Sequence, residues 1–171
     1  YEISSGLVGS EDVYKRQTLI FAFVSCDTAV KSEKQTGTIE GEDTKSLTID
    51  AFNDAYLAND MTGQDALFTE DAVAQVNSEE MSTSEMIEAF MGGREFYDDI
   101  KNLDRATATF NFDTGDTYTC TWFDWEGTSK STGEVVGNPV HAWFKWDGDK
   151  VSEVTYIFDS AEYVANMSAT E

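Results

Sequence analysis

The spacing of apolar residues changes once along this chain, and that change limits what it can fold into. Up to Asp99 they recur at helical intervals, and beyond it they alternate. Ile49, Phe52 and Tyr56 share one helical face with Ala55 beside them, and Ser46 or Thr48 is expected to cap that helix. Asn59-Asp60-Met61-Thr62-Gly63 ends the pattern. A short second helix is expected over Gln64–Phe68 and a short strand over Ala72–Val76. Ser82-Thr83-Ser84-Glu85 has the spacing of a capping box. The helix behind it places Met86, Ile87, Phe90, Met91, Arg94 and Tyr97 on one stripe, weakened at Gly92-Gly93.

After Asp99, Ala106, Ala108, Phe110 and Phe112 alternate with Thr107, Thr109 and Asn111. Asp113-Thr114-Gly115-Asp116 reads as a turn. The next strand sets Tyr118, Cys120 and Trp122 against Thr119, Thr121 and Phe123, and Glu126-Gly127 starts a longer loop. Val140, Ala142, Phe144 and Trp146 share one face of a third strand, with His141, Trp143 and Lys145 on the other. Asp147-Gly148-Asp149 is a hairpin turn into a last strand whose face carries Val154, Tyr156 and Phe158. A short helix is expected in the tail. Helices followed by a meander of strands imply an α+β fold, with the helices packed on one face of a bent antiparallel sheet.

Composition removes several function classes. Eleven Lys and Arg stand against 33 Asp and Glu, a net charge of −22. Phosphate contacts need clustered cations, so a nucleic-acid surface and direct adsorption to anionic membrane are excluded. With 40% hydrophobic and 13% aromatic residues in 171, the chain has material for one core plus a tail. Two Cys and one His exclude a disulfide scaffold and a multi-Cys or multi-His metal site. The acid-rich pieces Glu40–Asp43 and Asp98-Asp99 lack the spacing of a calcium loop and read as solvated faces. No metal and no cofactor is expected.

The N-terminal region reads differently. Residues 1–17 have no sustained period, and Asp12-Val13-Tyr14-Lys15-Arg16-Gln17 back-translates to GAT GTG TAT AAG AGA CAG. That resembles a transposon end used in sequencing libraries, so these residues are expected to be adapter translation rather than native protein. Residues 18–26, TLIFAFVSC, form an apolar run ending in Ser25-Cys26. The run is too short to span a bilayer. It resembles the end of a bacterial lipoprotein signal, which implies lipidation at Cys26 and an exported domain held to a membrane only by acyl chains. A plain secretory signal and a core strand are the alternatives. Cys120 is then the only free thiol, unless it pairs with Cys26. Residues 27–45 have linker composition and 46–171 form the domain.

Within the domain, the phrase Leu67-Phe68-Thr69-Glu70-Asp71-Ala72-Val73, the Ser-capped helix, Trp146-Asp147-Gly148-Asp149-Lys150-Val151 and Tyr156-Ile157-Phe158-Asp159 follow in an order that resembles the SnoaL-like branch of the nuclear-transport-factor-2-like superfamily. The resemblance covers about residues 46–165. It implies a cone-shaped barrel around a pocket, in a family that includes ketosteroid isomerase, polyketide cyclases, dehydratases and non-catalytic modules. Carried over from ketosteroid isomerase, the oxyanion-donating Tyr falls at Phe52 and the proton-shuttling Asp at Val76. Neither side chain can do that work, so isomerisation of that kind is not expected.

The resemblance to SnoaL-type cyclases points to His141 and Asp159 as an acid–base pair, against which stand a packed or solvated His and a capping Asp. Asp124 is a second candidate acid, or a solvent-facing residue. Phe52, Tyr56, Phe90, Tyr118, Trp122, Trp143 and Tyr156 are candidates to line a pocket for a small apolar or aromatic ligand, or else to fill a core. Three functions follow as expectations. The first is binding of such a ligand, or of a protein partner, by an exported lipid-anchored domain. The second is a cofactor-independent cyclase, isomerase or hydratase. The third is a module that dimerises through its sheet.

Overall fold

The computed structural model describes residues 36–168. The adapter-like segment, the apolar run and Cys26 lie outside the described residues. The first strand, β1 (Gly37–Glu40), lies inside the stretch expected to be linker, where it pairs with the strand Tyr97–Phe112 along an edge of the sheet. Its Thr-Ile pair supplied too short a run to read as a strand.

Helix α1 (Thr44–Leu57) starts earlier than its apolar stripe suggested. Its N-cap is Asp43, whose carboxylate accepts from the backbone N–H of Lys45 at 2.8 Å and of Ser46 at 3.3 Å. An anionic cap also complements the positive end of the helix. At the far end Asn59 adopts a left-handed conformation (φ 58°), and the N–H of Asp60 returns to the carbonyl of Ala55. Phe52 is buried edge-on against Phe68 and Phe144, at 5.8 and 6.1 Å between ring centres. Burial of one such ring is worth roughly 1.5–3 kcal/mol.

A single 3-10 turn, Gln64–Leu67, replaces the expected second helix, and β2 (Phe68–Val76) is longer than anticipated. A turn at Asn77 and Ser78 leads into β3 (Glu79–Ser82), an edge strand with no apolar alternation to announce it. The capping box holds: Ser82 and Glu85 exchange bonds at the start of α2 (Thr83–Gly92). The helical stripe stops short of Arg94 and Tyr97, because the Gly pair passes into a 3-10 turn, Gly93–Glu95.

The four long strands are β4 (Tyr97–Phe112), β5 (Thr117–Ser129), β6 (Val135–Asp147) and β7 (Lys150–Phe158), followed by α3 (Ala161–Ser168). The sheet order is β1-β4-β5-β6-β7-β2-β3. Two expectations need correction. The sheet is open, with β1 and β3 as its edges, and so is not a closed barrel. It is also mixed, because β2 runs parallel to β7. Curvature comes from β4, whose register with β5 shifts at two places, beside Asp99 (φ 53°) and Asp104 (φ 50°). Bulges of this kind bend a strand, and Asp tolerates the left-handed region better than most residues. The concave face meets α1 and α2 over a core that includes Ile49, Met86, Phe144, Val151 and Val154. Among the described residues no helix is long and apolar enough to cross a membrane.

Candidate functional site

The inner face of β5 carries Thr119, Thr121, Phe123 and Trp125, all buried, whereas Tyr118, Cys120, Trp122 and Asp124 face outward. The sequence suggested the reverse, since the tyrosine, cysteine and tryptophan outweigh two threonines in hydrophobicity. The threonines are buried because their hydroxyls are paired. Trp146 Nε1 donates to Thr119 at 2.8 Å, Thr119 shares a hydrogen bond with Thr109 at 2.9 Å, and Thr107 donates to Thr121 at 3.0 Å. Thr109 also donates to Asp43 at 3.1 Å, which links the α1 cap to the sheet. Burial works against the Asp43 carboxylate, but bonds from Ser46, Thr109 and Lys45 outweigh it and hold its pKa below the usual range.

Beyond this polar zone the concave face encloses a cavity of about 330 Å³. From α1 come Phe52, Asn53 and Tyr56, and from α2 come Ile87, Ala89 and Phe90. The sheet contributes Phe123, Trp125, Asn138, Val140, Tyr156 and Phe158, with Val76 beside them. Met61 and three residues of α3, Tyr163, Val164 and Met167, complete the wall. Phe52, Tyr56, Phe90 and Tyr156 thus stand where a pocket was expected. Phe90 meets Tyr156 edge-on at 4.9 Å.

Tyr118, Trp122 and Trp143 do not line it. Trp143 and Trp122 fall on the outer face, where Trp122 is paired in register with His141 and Cys120 with Trp143. Alternation decides this: on β6 the inner face is Val140, Ala142, Phe144 and Trp146, so Trp143 must point away.

His141 is likewise exposed on the outer face, opposite Ile157. Asp159 is exposed past the end of β7 and accepts the N–H of Ala161 at 2.9 Å, a local turn just ahead of α3. No hydrogen bond joins the two among the described residues, and neither lines the cavity. Asp124 is exposed beside Pro139. The Cys120 thiol is pushed up by burial, which makes it a poor nucleophile. Among the described residues no three His, Cys, Asp or Glu side chains cluster as a metal site would require.

The residues that sequence reasoning missed include Trp125, Asn138 and the α3 side chains. Trp125 is the hub. Its indole N–H donates to the Tyr56 hydroxyl at 3.2 Å, and its ring meets Tyr97 and Tyr163 edge-on at 5.3 and 5.4 Å. Tyr163 stacks on Tyr97 at 4.9 Å, and the Tyr97 hydroxyl donates to the Tyr163 carbonyl at 2.7 Å, which fastens α3 over the cavity. Gly93 makes the fit possible: a Cβ there would lie 2.2 Å from the Tyr163 hydroxyl. Asn138 is the direct register partner of Trp125, and its side-chain oxygen is buried with no hydrogen-bond partner among the described residues. Pairing the inner face of β6 across to β5 would have found Trp125, but nothing in the sequence marks Asn138.

Among the described residues, the only titratable groups on the wall are tyrosines. Burial raises the pKa of Tyr156, with a further push from Tyr56. Burial, with Tyr56 and Tyr97 nearby, pushes Tyr163 up to about 12. Tyr56 is raised by burial, against the opposing effects of the Trp125 bond and the Arg94 charge. All three are neutral phenols near neutral pH, and among the described residues no carboxylate, imidazole or amine lines the space. A second, open concavity of about 440 Å³ lies over β2 and β7, lined by Asp71, Gln75, Glu80 and Glu153 among others. Lys145 already pairs with Glu153 there, at 2.8 Å.

No protein-family model matches the chain, and no curated protein matches it by sequence. Solved structures do match in fold. A candidate polyketide cyclase from Xanthomonas campestris pv. campestris superposes with a TM-score of 0.58 at 16% identity, over 71% of this chain and 94% of that one. A candidate hydroxylase from Streptomyces galilaeus gives 0.57 at 14% identity, over 72% and 95%. A nuclear-transport-factor-2-like protein from Burkholderia thailandensis gives 0.53 at 16% identity, over 73% and 95%. At these identities the likeness speaks to architecture. The chain has the nuclear-transport-factor-2-like fold, an open curved sheet with helices over its concave face.

Proposed function

We propose that this domain binds a small, mostly apolar molecule in the cavity under α3, and that it is exported and tethered through Cys26. The observation behind the binding reading is the chemistry of the wall, aromatic and aliphatic with a few neutral polar groups, at a volume within the range of small-molecule sites, about 300–1,000 Å³. A general acid or base works best with a pKa near the operating pH and within reach of the substrate, and the wall's tyrosines are all shifted upward, away from neutrality. His141 and Asp159 stand outside the cavity, which weighs against the cyclase, isomerase or hydratase alternative. The tether reading rests on the apolar run ending at Ser25-Cys26.

Titration of the protein with naphthalene, followed by equilibrium dialysis, tests the binding reading. Saturable one-to-one binding is expected, and Val140→Trp, which fills the cavity from β6, abolishes it. Absence of saturable binding to the wild type would remove the reading.

A second reading has its own observation. Trp122 is 39% exposed and Ile157 49%, and with Ala106 and His141 they form one cross-strand row on the outer face. Such a row suits pairing with a second copy through the sheet. Light scattering of a dimer that Trp122→Glu converts to monomer would support this reading. A monomeric wild type would end it.

A further inference from the structure

We infer that the ligand of this cavity is an uncharged, flat molecule of about two fused rings that carries a hydroxyl group lying against Asn138 and Tyr56. This deepens the reading of the cavity as a binding site and rests on it.

Size sets the ring count. An apolar cavity of about 150 Å³ takes one benzene. This one is about 330 Å³, and its walls are rings that favour edge-on or offset contact with another ring.

Charge is excluded by the wall. An anion would find no Lys, Arg or His of the described residues lining the space, in a protein of net charge −22. A cation would find no carboxylate among the described lining residues. Burying an unpaired charge is far more costly than burying a neutral polar group.

The polar group follows from two unfinished hydrogen bonds. The Asn138 carboxamide has a buried oxygen with no partner among the described residues. The Tyr56 oxygen already accepts from Trp125, so its own O–H is left to donate elsewhere. Both groups are joined to Trp125, one as its register partner and one through that bond. A hydroxyl can donate to the carboxamide oxygen and accept from the phenol. It would also serve with the carboxamide turned over, since it donates and accepts equally well. A buried polar group left unpaired is the kind of defect that a ligand repairs.

Equilibrium dialysis with naphthalene, 2-naphthol and 2-naphthoate tests this on the wild type, Asn138→Leu and Tyr56→Phe. The wild type is expected to bind 2-naphthol about two- to tenfold more tightly than naphthalene, the worth of one or two neutral hydrogen bonds. Naphthoate should bind more weakly than either. Without partners the hydroxyl costs desolvation, so in Asn138→Leu the order reverses or levels. Retained naphthalene binding shows that a variant's cavity is intact. Should Asn138→Leu lose it, Tyr56→Phe, which removes a single oxygen, reads the same preference. Equal binding of naphthol and naphthalene by the wild type overturns the inference and leaves the cavity reading standing. So does a naphthol preference that survives in both variants, or tighter binding of naphthoate. Failure of naphthalene to bind the wild type overturns both.

Discussion

Replacing Asp43 by Ala tests whether the polar link between α1 and the sheet holds the cavity's upper wall in place. Asp43 caps α1 through Lys45 and Ser46 and accepts from Thr109, which is itself bonded to Thr119. Loss of an N-cap costs about 1 kcal/mol. Loss of a hydrogen bond to a charged acceptor costs about 1.5 kcal/mol or more, with Thr109 left short of a partner in a buried site. Together the variant should lose roughly 2–3 kcal/mol, or about 10 °C in Tm for a domain of this size. The loss should depend on pH. The folded pKa of Asp43 lies below its ordinary value of 3.8, so the ionised form is the one that favours folding. Its contribution is therefore present above that value and disappears as pH falls through the folded-state pKa. Urea midpoints at pH 7, 5, 4 and 3 should show the gap between wild type and Asp43→Ala shrinking below pH 4. Asp43→Asn should keep most of the cap at pH 7 without that pH dependence. A deficit under about 0.5 kcal/mol at pH 7, or one of equal size at pH 7 and pH 3, would refute the reasoning.

Cys26→Ala should move the expressed protein from the membrane fraction to the soluble fraction. Unchanged fractionation would count against a lipid anchor. His141→Ala should leave naphthalene affinity within about twofold of wild type, because the imidazole sits on the opposite face of the sheet. A larger loss would place it at the site after all. Gly93→Ala should loosen α3 by displacing the Tyr163 hydroxyl, and so weaken naphthalene binding. Dialysis reads the change, and wild-type affinity would show that α3 is not a wall of the cavity.

The α+β order was legible because the change of apolar period is a local signal, and so were the Ser82 capping box and the Asp147–Asp149 hairpin turn. The strand β3 and the start of β4 were not, since Glu79–Ser82 and Asp98–Asp104 are polar and edge-like, with no alternation. The parallel pairing of β2 with β7 joins segments far apart in sequence, which no local pattern records.

At the site, the helix side could be read from the stripe Ile49–Phe52–Tyr56, and Tyr156 from its strand. The sheet side was misread at β5, because threonines bonded to one another can occupy a core while tryptophans remain outside. A hydrophobicity count cannot see that, although the register with β6 does. Asn138 is silent in sequence, since its meaning depends on being buried beside Trp125 with a bond left open.

The most direct test of the account is the methyl spectrum of the protein titrated with naphthalene. Met61, Met167, Ile87 and Val140 line the cavity, whereas Leu103, Val135 and Ile157 are exposed away from it. Saturable shifts are expected in the first group and none in the second. Shifts confined to the outer residues, or no shifts at all, would contradict binding in the cavity.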